Sequence, residues 1–186
     1  LLGWGISISE IENITISNNR CLWDVNGLAL LHSAKNVIAN NNYIAYCTNG
    51  MDLYNMSNAI IYGNTLYSNG YGVYVEANCA NNTIHHNNFT KNNIPEMSQA
   101  YDAGINNTWY DPLTLEGNYW SDWNGTGIYP IDGPANSFDP YPLPRPPSHS
   151  FSLFHYWWFD LSLVLFSSLI LSVLYIVSRR LKLFKG

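Results

Sequence analysis

The sequence predicts an all-β fold, a right-handed parallel β-helix of about four coils of 22–23 residues, with a C-terminal cap and one transmembrane α-helix. Three observations predict it: a repeat with asparagines at fixed places, short apolar–polar alternation inside each repeat, and an uncharged apolar stretch near the C-terminus. Only 11% of the 186 residues are charged. Asparagine, which disfavours helix interiors, is concentrated between residues 13 and 93.

The repeat has the pattern Ile-x-x-Asn-x-apolar and occurs four times, with its asparagines separated by 22, 23 and 23 residues. A glycine-led alternating run, such as Gly72-Val-Tyr-Val, precedes each copy and predicts a strand with one buried face. Equal spacing lets successive coils stack about 4.8 Å apart. Asparagines at one place in every coil can hydrogen-bond their neighbours, so we predict a scaffold ladder. Its predicted members are Asn19, Asn41, Asn64 and Asn87.

The repeat over residues 5–93 resembles the NosD-like periplasmic copper-binding proteins, within the wider set of β-helix domains of carbohydrate-binding proteins and sugar hydrolases. A second stretch, Gly-Asn-Tyr-Trp-Ser-Asp-Trp at 117–123, followed by Asp-Pro-Tyr-Pro-Leu at 139–143, resembles the end of many archaeal surface proteins with this repeat. The resemblance implies an extracytoplasmic β-helix and suggests copper as a ligand of the family.

Composition divides the chain into consecutive regions. The coils are predicted at 1–93, and because the chain starts inside the repeat without a signal peptide, we expect N-terminal coils to be missing. Residues 94–139 are predicted to cap the solenoid, since an open end exposes strand edges. A stiff proline-rich linker is predicted at 140–150. We expect three tryptophans to form capping core, with a sugar-stacking platform as the alternative: Trp109, Trp120 and Trp123.

Residues 151–178 are predicted to form an aromatic belt and a transmembrane helix. Leu161 to Ser178 carries no charge, and as a helix it would rise about 27 Å, close to the hydrocarbon thickness of a bilayer. The tail at 179–186 carries four basic residues and no acid, so the positive-inside rule places it in the cytoplasm and the β-helix outside. We therefore predict a single-pass cell-membrane protein. The acidic body, with net charge −5 for the whole chain, predicts no nucleic-acid partner.

An extracytoplasmic location predicts N-glycosylation at Asn-x-Ser/Thr sequons. The candidate residues are Asn13, Asn55, Asn81, Asn88, Asn106 and Asn124. Three cysteines, Cys21, Cys47 and Cys79, show no CxxC or metal-site spacing, and we interpret them as buried free thiols, although the location would permit a disulfide.

The coils offer no predicted catalytic or metal-binding residues. Aligned by the glycines, Asp52 falls beside Ala29 and Tyr74, so no acids stack as sugar hydrolysis would require. His85 and His86 are adjacent, and on a strand they would point to opposite faces. We therefore predict no catalytic site, no metal and no cofactor, and an enzyme is not the favoured interpretation.

The predicted function is a non-enzymatic module at the cell surface that binds a glycan or a protein, or builds part of the envelope. Tyrosines on the coils can stack sugar rings, or they can be core and ladder residues. The candidate ligand-facing residues are Tyr46, Tyr54 and Tyr74. Two alternatives stay open: a polysaccharide lyase or hydrolase whose catalytic coils are missing from this fragment, and a copper-handling accessory protein.

Overall fold

The computed structural model describes residues 3–32, 34–93 and 97–148, and all regular structure in this part of the chain is β-strand. Three parallel sheets run along the molecule. Sheet 1 contains β1 (Trp4–Ser9), β4 (Asn26–Leu31), β7 (Asn49–Leu53), β10 (Tyr71–Val75) and β13 (Ala100–Asp102). Sheet 2 contains β2 (Thr15–Ser17), β5 (Ile38–Asn40), β8 (Ile60–Tyr62) and β11 (Thr83–His85). Sheet 3 contains β3 (Arg20–Leu22), β6 (Tyr43–Ala45), β9 (Thr65–Tyr67), β12 (Asn88–Thr90) and β14 (Tyr119–Trp120).

The chain visits sheets 1, 2 and 3 in turn and then repeats the circuit, so each strand pairs with the strand of the next coil. Four full circuits make a parallel β-solenoid, and β13 and β14 extend sheets 1 and 3 beyond it. The prediction of an all-β parallel solenoid of about four coils is confirmed. A separate antiparallel pair follows, formed by β15 (Tyr129–Pro130) and β16 (Phe138–Asp139).

Side chains that point into the solenoid form columns of one residue per coil, because successive coils pair in register. Sheet 2 contributes Ile16, Ala39, Ile61 and Ile84. Sheet 3 contributes Cys21, Ile44, Leu66, Phe89 and Trp120. All nine are buried, and burial of this apolar surface is the main stabilising contribution of the core. The three cysteines are buried and free, as interpreted from their spacing.

Single residues in the left-handed region turn the chain at the corners. Asparagine and glycine reach this region most easily, and the corners repeat it in every coil. Between sheets 2 and 3 the φ angles are 58°, 51°, 65° and 52° at Asn18, Asn41, Gly63 and His86. Between sheets 3 and 1 they are 66°, 61°, 52° and 56° at Trp23, Tyr46, Ser68 and Lys91.

An asparagine ladder lies just inside the corner between sheets 2 and 3. Each side-chain Nδ2 donates to the Oδ1 of the next member at 2.9–3.0 Å. The members are Asn19, Asn42, Asn64, Asn87 and Asn118. The second coil therefore uses Asn42, and the prediction of Asn41 is wrong by one residue. Ala39 and not Ile38 points inward in this coil, which leaves Asn41 at the corner.

The ladder ends at a carboxylate, and two shorter amide ladders end in the same way. Asp139 Oδ2 accepts from the Asn118 backbone N–H at 2.7 Å. Asn107, which follows Asn82 in a second ladder, donates to Asp102 Oδ1 at 2.9 Å. In the third ladder Gln99 follows Asn92 and donates to Asp122 Oδ1 at 2.6 Å. Asp102 and Asp139 are fully buried, and both accept hydrogen bonds on each oxygen.

Aromatic rings continue the core beyond the fourth coil. Trp120 stacks on Phe89 with centroids 4.1 Å apart and on Tyr129 with centroids 4.0 Å apart. Trp109 is buried beside them, and Trp123 packs against the same core while half-buried. These residues belong to the region predicted at 94–139.

The predicted segments at 151–178 and 179–186, with the transmembrane helix of 161–178, lie outside the described residues. The predicted linker of 140–150 is described as far as Ser148. Within 3–32, 34–93 and 97–148, no helix has the length and hydrophobicity that a bilayer crossing requires.

Candidate functional site

Two histidines meet at the corner between sheets 2 and 3 in the fourth coil. His85 ends β11, and His86 occupies the corner with a φ of 52°. A residue in the left-handed region interrupts strand alternation. The two rings were predicted to point to opposite faces, and they do not. Their Nδ1 atoms lie 2.7 Å apart. The two side chains therefore meet at the corner, and the predicted orientation to opposite faces is wrong.

The following turn supplies two carboxylates at the same corner. The ladder step from Asn87 to Asn118 spans 31 residues, whereas the earlier steps span 22 or 23. The extra residues form a loop in which the backbones of Asp111 and Glu116 pair. Glu116 Oε2 lies 2.8 Å from His86 Nε2. One Asp111 oxygen and one nitrogen of each histidine form a group whose atoms all lie within 4.8 Å of one another.

Neighbouring groups fix the ionisation and orientation of this cluster. The ring of Tyr62 stacks on His85 at 5.5 Å with an interplanar angle of 10°. Burial, with the adjacent His86, lowers the pKa of His85 and favours its neutral form. The Leu113 N–H that donates to Asp111 lowers the pKa of that carboxyl, which stays ionised at neutral pH. Neutral imidazole and ionised carboxylate are the forms that bind metal ions.

A groove of about 470 Å³ opens beside His86. Its lining includes His86, Tyr62, Gly63, Glu116 and Arg145. Gly63 occupies the corner one coil before His86, where it carries no side chain to fill the groove. His86 and Glu116 are thus reachable from solvent through this groove.

A second surface lies on the corner between sheets 3 and 1, and we call it the aromatic column: Trp23, Tyr46, Tyr67 and Lys91. Trp23 and Tyr46 stack with centroids 4.3 Å apart and planes 11° apart. Tyr46 meets Tyr67 edge to face at 5.7 Å, and Lys91 Nζ lies 5.8 Å from the Tyr67 centroid. Trp23 is 61% exposed and Tyr46 is 37% exposed.

The three predicted ligand-facing tyrosines lie at three separate places. Tyr46 belongs to the aromatic column. Tyr54, 40% exposed, directly follows β7 at the other end of a sheet 1 strand and touches His32 edge to face. Tyr74 lies on the outer face of sheet 1, stacked on Tyr101 with centroids 4.6 Å apart. Sequence reasoning missed Trp23, although it precedes a glycine-led strand just as Tyr46 does.

The predicted glycosylation residues differ in accessibility. Five are exposed: Asn13, Asn55, Asn81, Asn106 and Asn124. Asn88 is half-buried on β12, where its Oδ1 accepts from Thr90 Oγ1 at 2.7 Å. The sequon hydroxyl of Thr90 is therefore already engaged with the asparagine that would be modified.

The outer face of sheet 1 holds Asp52 in the register expected from the glycines, between Ala29 and Tyr74. Its Oδ2 accepts from Asn26 Nδ2 at 2.6 Å, and burial raises the pKa of the carboxyl. Tyr101 continues this column in the next coil, so the positions on both sides of Asp52 are occupied by other residue types.

One family model matches this chain, over residues 3–125, and its description is periplasmic copper-binding protein (NosD). The chain belongs to the NosD family. Neither the curated proteins nor the solved structures compared with the chain gave a match. NosD membership agrees with the predicted resemblance and with a right-handed parallel β-helix, and it suggests an extracytoplasmic domain.

The donor atoms that this NosD chain offers can be compared with those that copper prefers. Imidazole nitrogen with carboxylate oxygen is a donor set that suits Cu²⁺, and His85, His86 and Asp111 supply it. The thiols fit poorly, because burial raises the pKa of Cys21 and of Cys79 to about 11 and keeps them protonated. The residues that would hold copper are therefore the two histidines and Asp111.

Proposed function

We propose that this NosD-family chain is a membrane-anchored, extracytoplasmic β-helix protein that acts by binding a glycan and not by catalysis. The observation that carries the proposal is the aromatic column, in which Trp23 lies flat on Tyr46 and is 61% exposed. Large exposed aromatic surfaces on a folded protein mark interaction sites. A protein ligand at the same column is the other partner that the sequence predicts.

The column suits a sugar because it combines flat apolar faces with polar groups. The C–H face of a pyranose can pack on an indole or phenol ring, while the Tyr46 hydroxyl and the Lys91 ammonium are available to sugar hydroxyls or carboxylates. Stacking and the left-handed corner backbone hold Trp23 and Tyr46 in place before binding. Little side-chain entropy is then lost when the ligand arrives.

A binding role is also supported by the arrangement of acids on sheet 1. Glycoside hydrolysis uses two carboxyl groups about 5–9.5 Å apart on opposite sides of the scissile bond. Asp52 has Ala29 and Tyr74 as its neighbours in the adjacent coils. The acid near Asp52 is Glu76, whose charge adds to burial in raising the pKa of Asp52, but Glu76 does not stack on Asp52 in one column.

The remaining parts of the proposal concern placement. Residues 161–178 would span the membrane and 179–186 would lie in the cytoplasm, as their charge pattern predicts. Residues 94–139 would close the solenoid end, a role supported by the burial of Trp109 and Trp120. N-glycans would be attached at the exposed sequons and excluded from Asn88, which a glycopeptide mass spectrum would reveal.

A glycan array probed with the full chain in detergent tests the binding function. Trp23→Ser and Tyr46→Ser introduce the residue that the third coil uses at this corner, Ser68, so the backbone is undisturbed. We expect each variant to weaken binding about 10-fold or more, the usual effect of losing a central aromatic anchor. Tyr54→Ser is the matched control, since Tyr54 is 40% exposed against 37% for Tyr46 but lies elsewhere.

Binding that survives in Trp23→Ser and Tyr46→Ser but is lost in Tyr54→Ser would reject the aromatic column as the ligand surface. An array without any bound glycan, together with glycan cleavage by the full chain, would reject the binding function itself.

A further inference from the structure

We propose that His85, His86 and Asp111 bind one divalent transition-metal ion, with Cu²⁺ bound more tightly than Zn²⁺, and that Glu116 positions His86 for this role. The site goes beyond the proposed glycan-binding function. It lies before β12 at the sheet 2 side, whereas Lys91 of the aromatic column follows β12. The two proposals can therefore fail independently.

The spacing of the histidine nitrogens matches two ligands of one ion. With metal–nitrogen bonds of about 2.0–2.1 Å, two ligands at a right angle stand about 2.9 Å apart. The two Nδ1 atoms are 2.7 Å apart. One Asp111 oxygen lies within 4.8 Å of one nitrogen of each histidine, and its side chain would rotate towards them to complete a three-donor face.

Glu116 selects the tautomer that makes His86 a ligand. Its Oε2 lies 2.8 Å from His86 Nε2, so the carboxylate accepts the Nε2 proton. The lone pair is then left on Nδ1, the atom that faces His85. Carboxylates that accept from the second nitrogen of a ligating imidazole recur around protein metal sites and set both ring orientation and ligand basicity.

The loop that carries the acids is specific to this coil. It is the long ladder step, 31 residues against 22 or 23, that brings Asp111 and Glu116 to the histidines. In the second coil the equivalent positions of His85 and His86 are Asn40 and Asn41, and these lack such a loop because the step after them is short. Histidines and carboxylates thus appear together in a single coil.

A direct N–H···N bond between the two rings would give the same 2.7 Å separation without any metal. The two explanations differ in what happens when Cu²⁺ is added. Copper leads the affinity order for divalent first-row ions at nitrogen and oxygen donors, so a metal site should prefer it to Zn²⁺. A simple ring–ring hydrogen bond gives no uptake at all.

The test is calorimetric titration of the full chain, free of any polyhistidine tag, with Cu²⁺ and separately with Zn²⁺. We expect one Cu²⁺ per chain and an electron paramagnetic resonance spectrum with coupling to two imidazole nitrogens. His85→Asn and His86→Asn install the residues that the second coil uses at the same places, Asn40 and Asn41, so the fold is preserved. His32→Asn, at the exposed corner that follows β4 in the second coil, is the matched control.

The variants His85→Asn, His86→Asn and Asp111→Asn should each reduce Cu²⁺ affinity more than 100-fold. Each histidine variant should also remove one nitrogen coupling from the spectrum. His32→Asn should bind Cu²⁺ as the parent chain does. Glu116→Gln should weaken binding about 10–100-fold and leave both couplings, as expected for a positioning residue. No Cu²⁺ uptake, uptake unchanged in His86→Asn, or tighter binding of Zn²⁺ than of Cu²⁺ would overturn the proposal. Far-ultraviolet circular dichroism of each variant excludes loss of fold as the cause.

Discussion

Adjacent asparagines in the second coil should have very different effects on stability when they are replaced. Asn42 is 1% exposed and belongs to the ladder between sheets 2 and 3, whereas Asn41 is the corner residue with a φ of 51°. We compare Asn42→Ala with Asn41→Gly. The second variant places at the corner the residue that the third coil carries there, Gly63.

The magnitude follows from the hydrogen bonds that each change removes. Asn42 Nδ2 donates to the Ile16 carbonyl at 2.9 Å, and its Oδ1 accepts from the Asn19 backbone N–H at 3.0 Å. Asn42→Ala leaves these two backbone groups without their side-chain partner, at about 1–3 kcal/mol each when buried. Since Asn19 is only half-buried, we expect a total loss of about 2–4 kcal/mol. Asn41→Gly keeps the corner backbone and should change stability by less than about 1 kcal/mol.

Urea unfolding of the full chain in mild detergent, followed by tryptophan fluorescence, measures both variants. The free energy of unfolding is taken from the midpoint and the slope of each transition. Equal destabilisation by the two substitutions, or a larger effect of Asn41→Gly, would refute the assignment of Asn42 to the ladder.

Three further predictions concern other buried groups. Burial raises the pKa of the Asp139 carboxyl, so the folded chain holds this proton more tightly than the unfolded chain does. The contribution of Asp139 to stability should therefore fall as the pH rises from 3.8 towards the raised pKa. Urea midpoints measured across that range check this, and the profile of Asp139→Asn should be flatter. Trp120→Ala removes the ring between Phe89 and Tyr129 and should cost about 3–5 kcal/mol in urea unfolding, whereas Trp23→Ser should cost under about 1 kcal/mol. Cys79 is fully buried and its pKa is raised to about 11, so maleimide should label it only after unfolding, and intact-mass spectra showing rapid labelling of the native chain would contradict this.

The solenoid could be predicted because its periodicity is a property of the sequence alone. A 22–23-residue repeat with short alternating runs leaves no other regular fold for these residues. Periodicity could not decide which residue belongs to the ladder where several asparagines follow one another. Three consecutive asparagines, 40 to 42, all fit the ladder by spacing, and only the inward position of Ala39 decides among them.

The histidine cluster could not be predicted from the sequence for a different reason. Strand alternation separates His85 from His86, but it does not apply across a corner with positive φ. A sequence signal did exist, since Asn18, Asn41 and Gly63 occupy the same place in earlier coils and favour the left-handed region. The approach of Asp111 and Glu116 had no such signal, because the repeat is lost after residue 93 and long-range contacts then depend on the loop itself.

The three amide ladders have a direction, and their aspartate ends make use of it. In the first ladder one side-chain N–H of each member from Asn19 to Asn87 donates to the side-chain oxygen of the next member, so this row of amide–amide hydrogen bonds points towards the C-terminal end. An amide at the last position would present donors to whatever lies beyond, whereas a carboxylate only accepts and meets the positive end of the row. An asparagine in the ladder thus allows another coil to follow, whereas the buried Asp139 ends the row, and Asp139→Asn would place N–H donors where the row now ends.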